Sequence, residues 1–268
     1  MKLTTLLLYL ASTVRSHTIT PWYHYWNPAS KTYRVPVAVD YSTYNLEDIP
    51  ILEQNLQWVK NHLQENSNIE LDIAKNKKSH NSHDHDSIKQ GGFIKIINHE
   101  DDHGSYDDGC SSFLGNAYQF FKTKGQKMNI GWCKNYPGWI LKQFVTALGF
   151  HEQHLYPNRD DYISVEMNRY NRFKCRKQHV KHERISYDGN RISYPLFDAA
   201  IPYDFESITH AGQDSGCHIE VLPEFQNKKQ VIGRYKKLSE YDIVKLAILY
   251  PEEGPESVFG LADGDDYN

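Results

Sequence analysis

Residues 138–162 read GWILKQFVTALGFHEQHLYPNRDDY. Trp139, Ile140, Leu141, Phe144, Val145 and Leu148 form one apolar face at helical spacing, and Gly149 ends it. No other segment carries a helix signal as strong. Downstream come an Arg/Tyr/Asn-rich stretch at 169–191 and a Pro-punctuated turn region around Pro195 and Pro202. A closing helix is expected over 239–249, with Ser239 as N-cap and Pro251 as stop. Upstream, Cys110 and Cys133 bracket a sheet-like segment at 111–129. Before it lie a strand at 92–97, an alternating strand at 69–73, a helix over 49–64 and an early strand over 33–39. The polar stretch 75–90 holds His80, His83 and His85. A His cluster can bind metal, but without a Cys or a well-spaced carboxylate the favoured reading is a solvated loop. No repeat and no linker to a second domain is visible.

The totals set bounds. With 268 residues, 39% apolar and 13% aromatic, the composition folds and supplies a sizeable core. A formal charge of −4 and the lack of a Lys/Arg stripe argue against a nucleic-acid partner. Lys2 precedes an apolar run at 3–11, which is followed by small residues Ser12, Thr13 and Ser16. Residues 1–16 therefore read as a secretory signal peptide. The run, about nine residues, is too short to span a bilayer, which needs roughly 20. No membrane partner is expected, and the chain is read as secreted and monomeric. Four cysteines suit an oxidising compartment and allow three pairings that the spacing alone does not separate.

The 139–162 segment resembles the active-site segment of the astacin family of metalloproteases, which are metzincins. There the helix reads His-Glu-x-x-His, continues Ala-Leu-Gly-Phe, and leads to a third His, Glu-Gln and Arg-Asp-Asp-Tyr. DGCSSFLG at 108–115 is similar to the family's Gly-Cys-x-Ser-Tyr-x-Gly strand. PYDFESITH at 202–210 is similar to its Met-turn, and IGR at 232–234 with LSEYDI at 238–243 to its closing segment. The resemblance runs from about residue 22 to 250. It implies an α+β, zincin-like fold: an N-terminal mixed twisted sheet, two long helices and a smaller irregular C-terminal part. It places a peptidase-like domain at 17–255 and leaves 256–268 as an acidic tail.

The departures fall on the chemistry. Working members need three imidazoles on one Zn²⁺, two at i and i+4 of the helix and one beyond the Gly, with a Glu as general base. Aligned without gaps, this chain places Lys142 and Thr146 at the helical ligand positions, Gln143 at the general base and Glu152 at the third ligand. A shift of one residue offers His151 instead. Thr209 stands where the Met-turn expects Met, and Ala211 where a Tyr often sits. A protonated Lys has no lone pair, Gln takes up no proton at neutral pH, and a Thr hydroxyl is a poor substitute for imidazole. No catalytic residue, no metal ligand and no cofactor are therefore expected. His151, His154 and His210 are the residues an alternative metal site would use. Lys142 either pairs with Glu152 in the former metal cavity or snorkels to solvent.

The resemblance implies a Cys110–Cys133 bridge, leaving Cys175 to pair with Cys217. It also implies a latency pro-segment, for which the few residues between the signal peptide and Trp22 leave no room. The functional expectation is a catalytically inactive pseudoprotease that binds peptide or protein ligands in the former substrate cleft. The alternative is a zinc-dependent endopeptidase with a non-standard ligand set.

Overall fold

The computed structural model describes residues 16–19, 21–74, 92–100, 106–107, 109–117, 125–166, 184–187, 192–193, 201–213, 217–255 and 257. The stretch with His80, His83 and His85, Cys175, the N-terminal 15 residues and the acidic tail apart from Ser257 lie outside them.

Six strands form one mixed sheet: β1 (Trp26–Asn27), β2 (Thr32–Val39), β3 (Ile69–Ile73), β4 (Ile94–Ile97), β5 (Cys110–Ser112) and β6 (Gln126–Ile130). β2 anchors it. Tyr33, Val35 and Val37 are buried while Arg34 is exposed, the two-residue alternation of a strand with one face on a core. It runs parallel to β3, with Tyr33 opposite Ile69, and parallel to β4, with Val37 opposite Ile94. β4 pairs parallel with β6, and β5 lies antiparallel to β6 at the end of the order. The strand expected at 92–97 begins only at Ile94. Gly92 has φ 78°, left-handed backbone that breaks the extended run.

Helix α1 (Ile49–Asn66) buries Leu52, Leu56, Val59 and Leu63 on one stripe. Helix α2 (Pro137–Ala147) is covered almost all round, with Ile140, Leu141, Phe144 and Val145 fully buried in the core shared with α1 and the sheet. Each such side chain contributes about 1.5–3 kcal/mol. Two glycines place α2. A Cβ on Gly138 would lie 1.6 Å from the Tyr235 carbonyl oxygen, so only Gly lets the helix start rest on that segment. At the other end Gly149 has φ 112°, with Gly149 N–H bonded to Thr146 O and Phe150 N–H to Val145 O. This is a Schellman motif, and it turns the chain back along the helix. The last carbonyls are met from both ends of the chain. Trp22 Nε1 donates to Ala147 O at 2.8 Å, and Tyr250 OH to Leu148 O at 2.6 Å.

The second part is smaller. β7 (Ile163–Glu166) pairs antiparallel with β8 (His218–Val221), and Ile163, Tyr203, Phe205, Ile219, Val221 and Ile232 make a separate cluster there. Helix α3 (Glu240–Leu249) starts at a capping box in which Ser239 and Asp242 cap each other's backbone N–H groups. The architecture is the expected α+β arrangement of a mixed sheet with helices and a lesser C-terminal part.

Candidate functional site

α2 presents Lys142 and Thr146 one turn apart, and the Schellman turn carries His151 and Glu152 back toward them. Lys142, Gln143, Thr146, His151 and Glu152 all line one cavity of about 310 Å³, with Ser111 of β5 on its wall. Within it Lys142 Nζ lies 3.0 Å from Glu152 Oε1. The ammonium also sits 4.7 Å from the Tyr235 ring centroid and 5.5 Å from that of Trp139, within cation–π range. Lys142 is 7% exposed, so it does not snorkel. Burial pushes its pKa down, but the Glu152 carboxylate and Tyr235 outweigh this and leave it raised, so the group stays charged at neutral pH. The other Glu152 oxygen lies 3.7 Å from Nε2 of the buried His154.

Thr146 is committed to its own helix, its hydroxyl donating to Lys142 O at 3.0 Å. Gln143 is 6% exposed, and its backbone carbonyl accepts from Ser112 Oγ at 2.9 Å. Its carboxamide lines the cavity without a hydrogen-bond partner among the described residues. An amide with a spare donor and a spare acceptor can pair with a peptide group; it cannot take a proton from water at neutral pH.

The 202–210 segment lies beneath this cleft. Thr209 Oγ1 donates to His151 O at 3.1 Å and lies 3.0 Å from Ser207 Oγ. Ser207 Oγ and Ile208 N–H both donate to Asp242, each at 2.7 Å. His210 is fully buried between two partners. Ala211 O can only accept, so Nδ1 carries the proton (2.7 Å), and Nε2 accepts from Tyr203 OH (2.9 Å). Burial, with Lys142 and Lys245 adding to it and only the Ala211 bond opposing, holds His210 down at a pKa of about 4. Ala211 is buried and contributes that carbonyl.

Motif reading covers Asp242 within the closing segment at 238–243 without giving it a role, and does not reach Lys245. Both lie on the buried stripe of α3 with Leu246 and Leu249, and a charge at stripe spacing is the signal that marks them. Lys245 Nζ donates to Gln153 Oε1 at 2.6 Å. Burial lowers its pKa against the opposing pull of Asp242 and Asp204. Burial, with Asp242 nearby, raises that of Asp204.

Cys110 and Cys133 are bonded, with their Cα atoms 5.9 Å apart. Cys217 is also disulfide-bonded, and Cys175 is outside the described residues. Among the described residues no group of three or more His, Cys, Asp or Glu side chains is placed to hold a metal ion. None of the helices described is long and apolar enough to cross a membrane.

Comparison with known proteins bears on this geometry. The model of the Astacin peptidase family matches residues 93–251. The chain is 26% identical to meprin A subunit beta of Rattus norvegicus over 145 residues, 53% of this chain and 19% of that protein. It is 25% identical to the low choriolytic enzyme of Oryzias latipes over 144 residues, 53% of this chain and 47% of that one. The chain thus spans less than half the length of either relative. Among solved structures it resembles high choriolytic enzyme 1, a hatching enzyme zinc-protease from Oryzias latipes. The TM-score is 0.55 at 21% identity, covering 83% of this chain and 91% of that one. At that identity the likeness shows the fold alone.

Proposed function

Since this chain belongs to the astacin family of peptidases, we propose that it is a catalytically inactive member that binds peptide or protein segments in the former substrate cleft. The observation that carries this reading is the Lys142–Glu152 contact of 3.0 Å at the two outer ligand positions. The residues present do not fit a zinc ion. The first position is a buried, charged ammonium with no lone pair to offer. At the second, a hydroxyl donates into its own helix. The third is a carboxylate already neutralised by the first. Gln143, at the general-base position, is neutral at working pH. No hydrolytic step is available through these groups.

What remains suits holding a chain. Among the described residues β5 ends the sheet order, with β6 as its neighbour there, so its outer edge can accept an extended segment. The Gln143 carboxamide, without a partner among the described residues, lies beside that edge in the same cavity. On this reading residues 1–16 are a secretory signal peptide, the protein works as an extracellular monomer, and it needs no cofactor.

The test is the zinc content of the purified, folded protein after dialysis against trace metal, run beside hydrolysis of a fluorescently labelled casein. Near-zero zinc and no hydrolysis are expected. One zinc per chain with measurable cleavage would sink the reading and favour an endopeptidase with a non-standard ligand set. Retention of the protein on an immobilised random-peptide library, weakened by Gln143→Ala, tests the binding half; equal retention of parent and variant would remove the cleft from the account.

A further inference from the structure

We propose that the Lys142 ammonium takes over the structural work of a metal ion, fixing the loop at 151–156 against α2 so that the cleft floor is ordered without any metal. The inference rests on the metal-free reading of the cleft and adds to it how that cleft keeps its shape.

The loop follows the Schellman turn, and one short 3-10 turn (Gln153–Leu155) is its regular structure. It nevertheless packs deeply: Gln153, His154, Leu155 and Tyr156 are all buried. Polar ties from four places hold it. Glu152 meets Lys142 of α2 at 3.0 Å. His151 O accepts from Thr209 at 3.1 Å. Gln153 accepts from Lys245 of α3 at 2.6 Å. His154 O accepts from Arg159 Nη1 at 2.8 Å. Three of these ties join buried groups. The Lys142 tie is the one in the cavity, where a bound ion would otherwise join helix to loop.

A fixed internal cation suits this place. The ammonium is bracketed by a carboxylate from the loop, a ring from its own helix turn at Trp139, and the ring of Tyr235, whose segment Gly138 brings against α2. One positive group thus touches three separate parts of the chain, as a coordinated ion does. It also repels a second cation from the same cavity, which makes the arrangement self-consistent. Unlike a metal, it cannot be chelated away.

The experiment measures thermal unfolding and limited proteolysis within residues 151–156 for the parent, Lys142→Met, Glu152→Gln and the double variant, each with EDTA and with added zinc. The parent should show the same midpoint in all buffers. Each single variant should unfold about 3 °C or more below it and be cut in the loop about tenfold faster, while the double variant should fall short of the sum of the two. Lys142→Arg, which keeps the charge, should protect the loop nearly as well as Lys. Should Lys142→Met fail to fold, Glu152→Gln, a near-isosteric change at a third-exposed carboxylate, carries the comparison alone. Single variants that match the parent in midpoint and loop cleavage, or effects that add without coupling, would overturn the proposal. A parent stabilised by zinc would overturn the metal-free reading, and the coupling between Lys142 and Glu152 would be read separately from the EDTA series.

Discussion

Leu141 and Phe144 point from α2 into an apolar core shared with α1 and the sheet, whereas Lys142 and Gln143, their immediate neighbours, point into the cleft. The two sides of one helix are held by different physics. On the core side stability is additive burial, non-directional, with each residue contributing in proportion to the surface it removes from water. On the cleft side, in the 202–210 segment beneath it and on the facing stripe of α3, Lys142, Gln153, Asp204, Thr209, His210, Asp242 and Lys245 are all buried polar groups. There stability depends on each partner being present, because an unmet buried donor or acceptor costs more than the bond contributes. The apolar side needs little more than the right volume, while the polar side needs particular partners. Two of the altered positions show this pairing: Lys142 meets Glu152, and Thr209 meets His151 O.

The contrast can be broken first on the apolar side. Phe144→Ala empties a fully buried position and should cost about 3–5 kcal/mol by chemical denaturation, with zinc content unchanged. A loss under about 1 kcal/mol would mean that the core collapses around the gap.

Acid sharpens the polar side. His210 is neutral when folded with a pKa of about 4, and the unfolded chain titrates near the ordinary value of 6.5. Between these values the unfolded state binds more protons, so this contribution is intact above about pH 6.5 and drains as pH falls toward 4. It should amount to about 3 kcal/mol across that window. His210→Gln, less stable at pH 7, should show a flatter pH profile over the same range; a slope identical to the parent's would assign the acid sensitivity to other groups.

The smallest expected effect is at Thr209. Thr209→Val keeps the shape and removes the hydroxyl that meets His151 O and Ser207 Oγ. A loss of about 1 kcal/mol is expected, with faster hydrogen exchange at residues 151–153. No change in exchange there would detach the turn from the loop.

Local elements are legible in the sequence because their causes are local. The stripe from Ile140 to Leu148, the Gly149 stop and the Ser239 cap follow rules acting over one or two turns, and each stands where those rules place it. The strand at 92–97 reads too long because a run of apolar residues does not reveal the left-handed backbone of Gly92. The candidate site is legible as a set of positions through the family resemblance, which groups Lys142, Gln143, Thr146 and Glu152 before any geometry. Whether Lys142 pairs or reaches solvent stays open at that level, since both fit the same residues. Tyr235 and Lys245 escape notice because they join the site from over 90 positions away.

The amino-acid sequence by itself determined the helices, their ends, the family to which the chain is similar and the chemical identity of the altered site, because periodicity, capping and side-chain chemistry are written in neighbouring residues. Tertiary structure decided the parallel register of β2, β3 and β4, the burial of Lys142 against Glu152, Trp139 and Tyr235, the tautomer of His210 and the placing of Lys245 under Gln153. The reason is physical: how much a charge costs, and whether it finds a partner, depends on which distant segments exclude water around it.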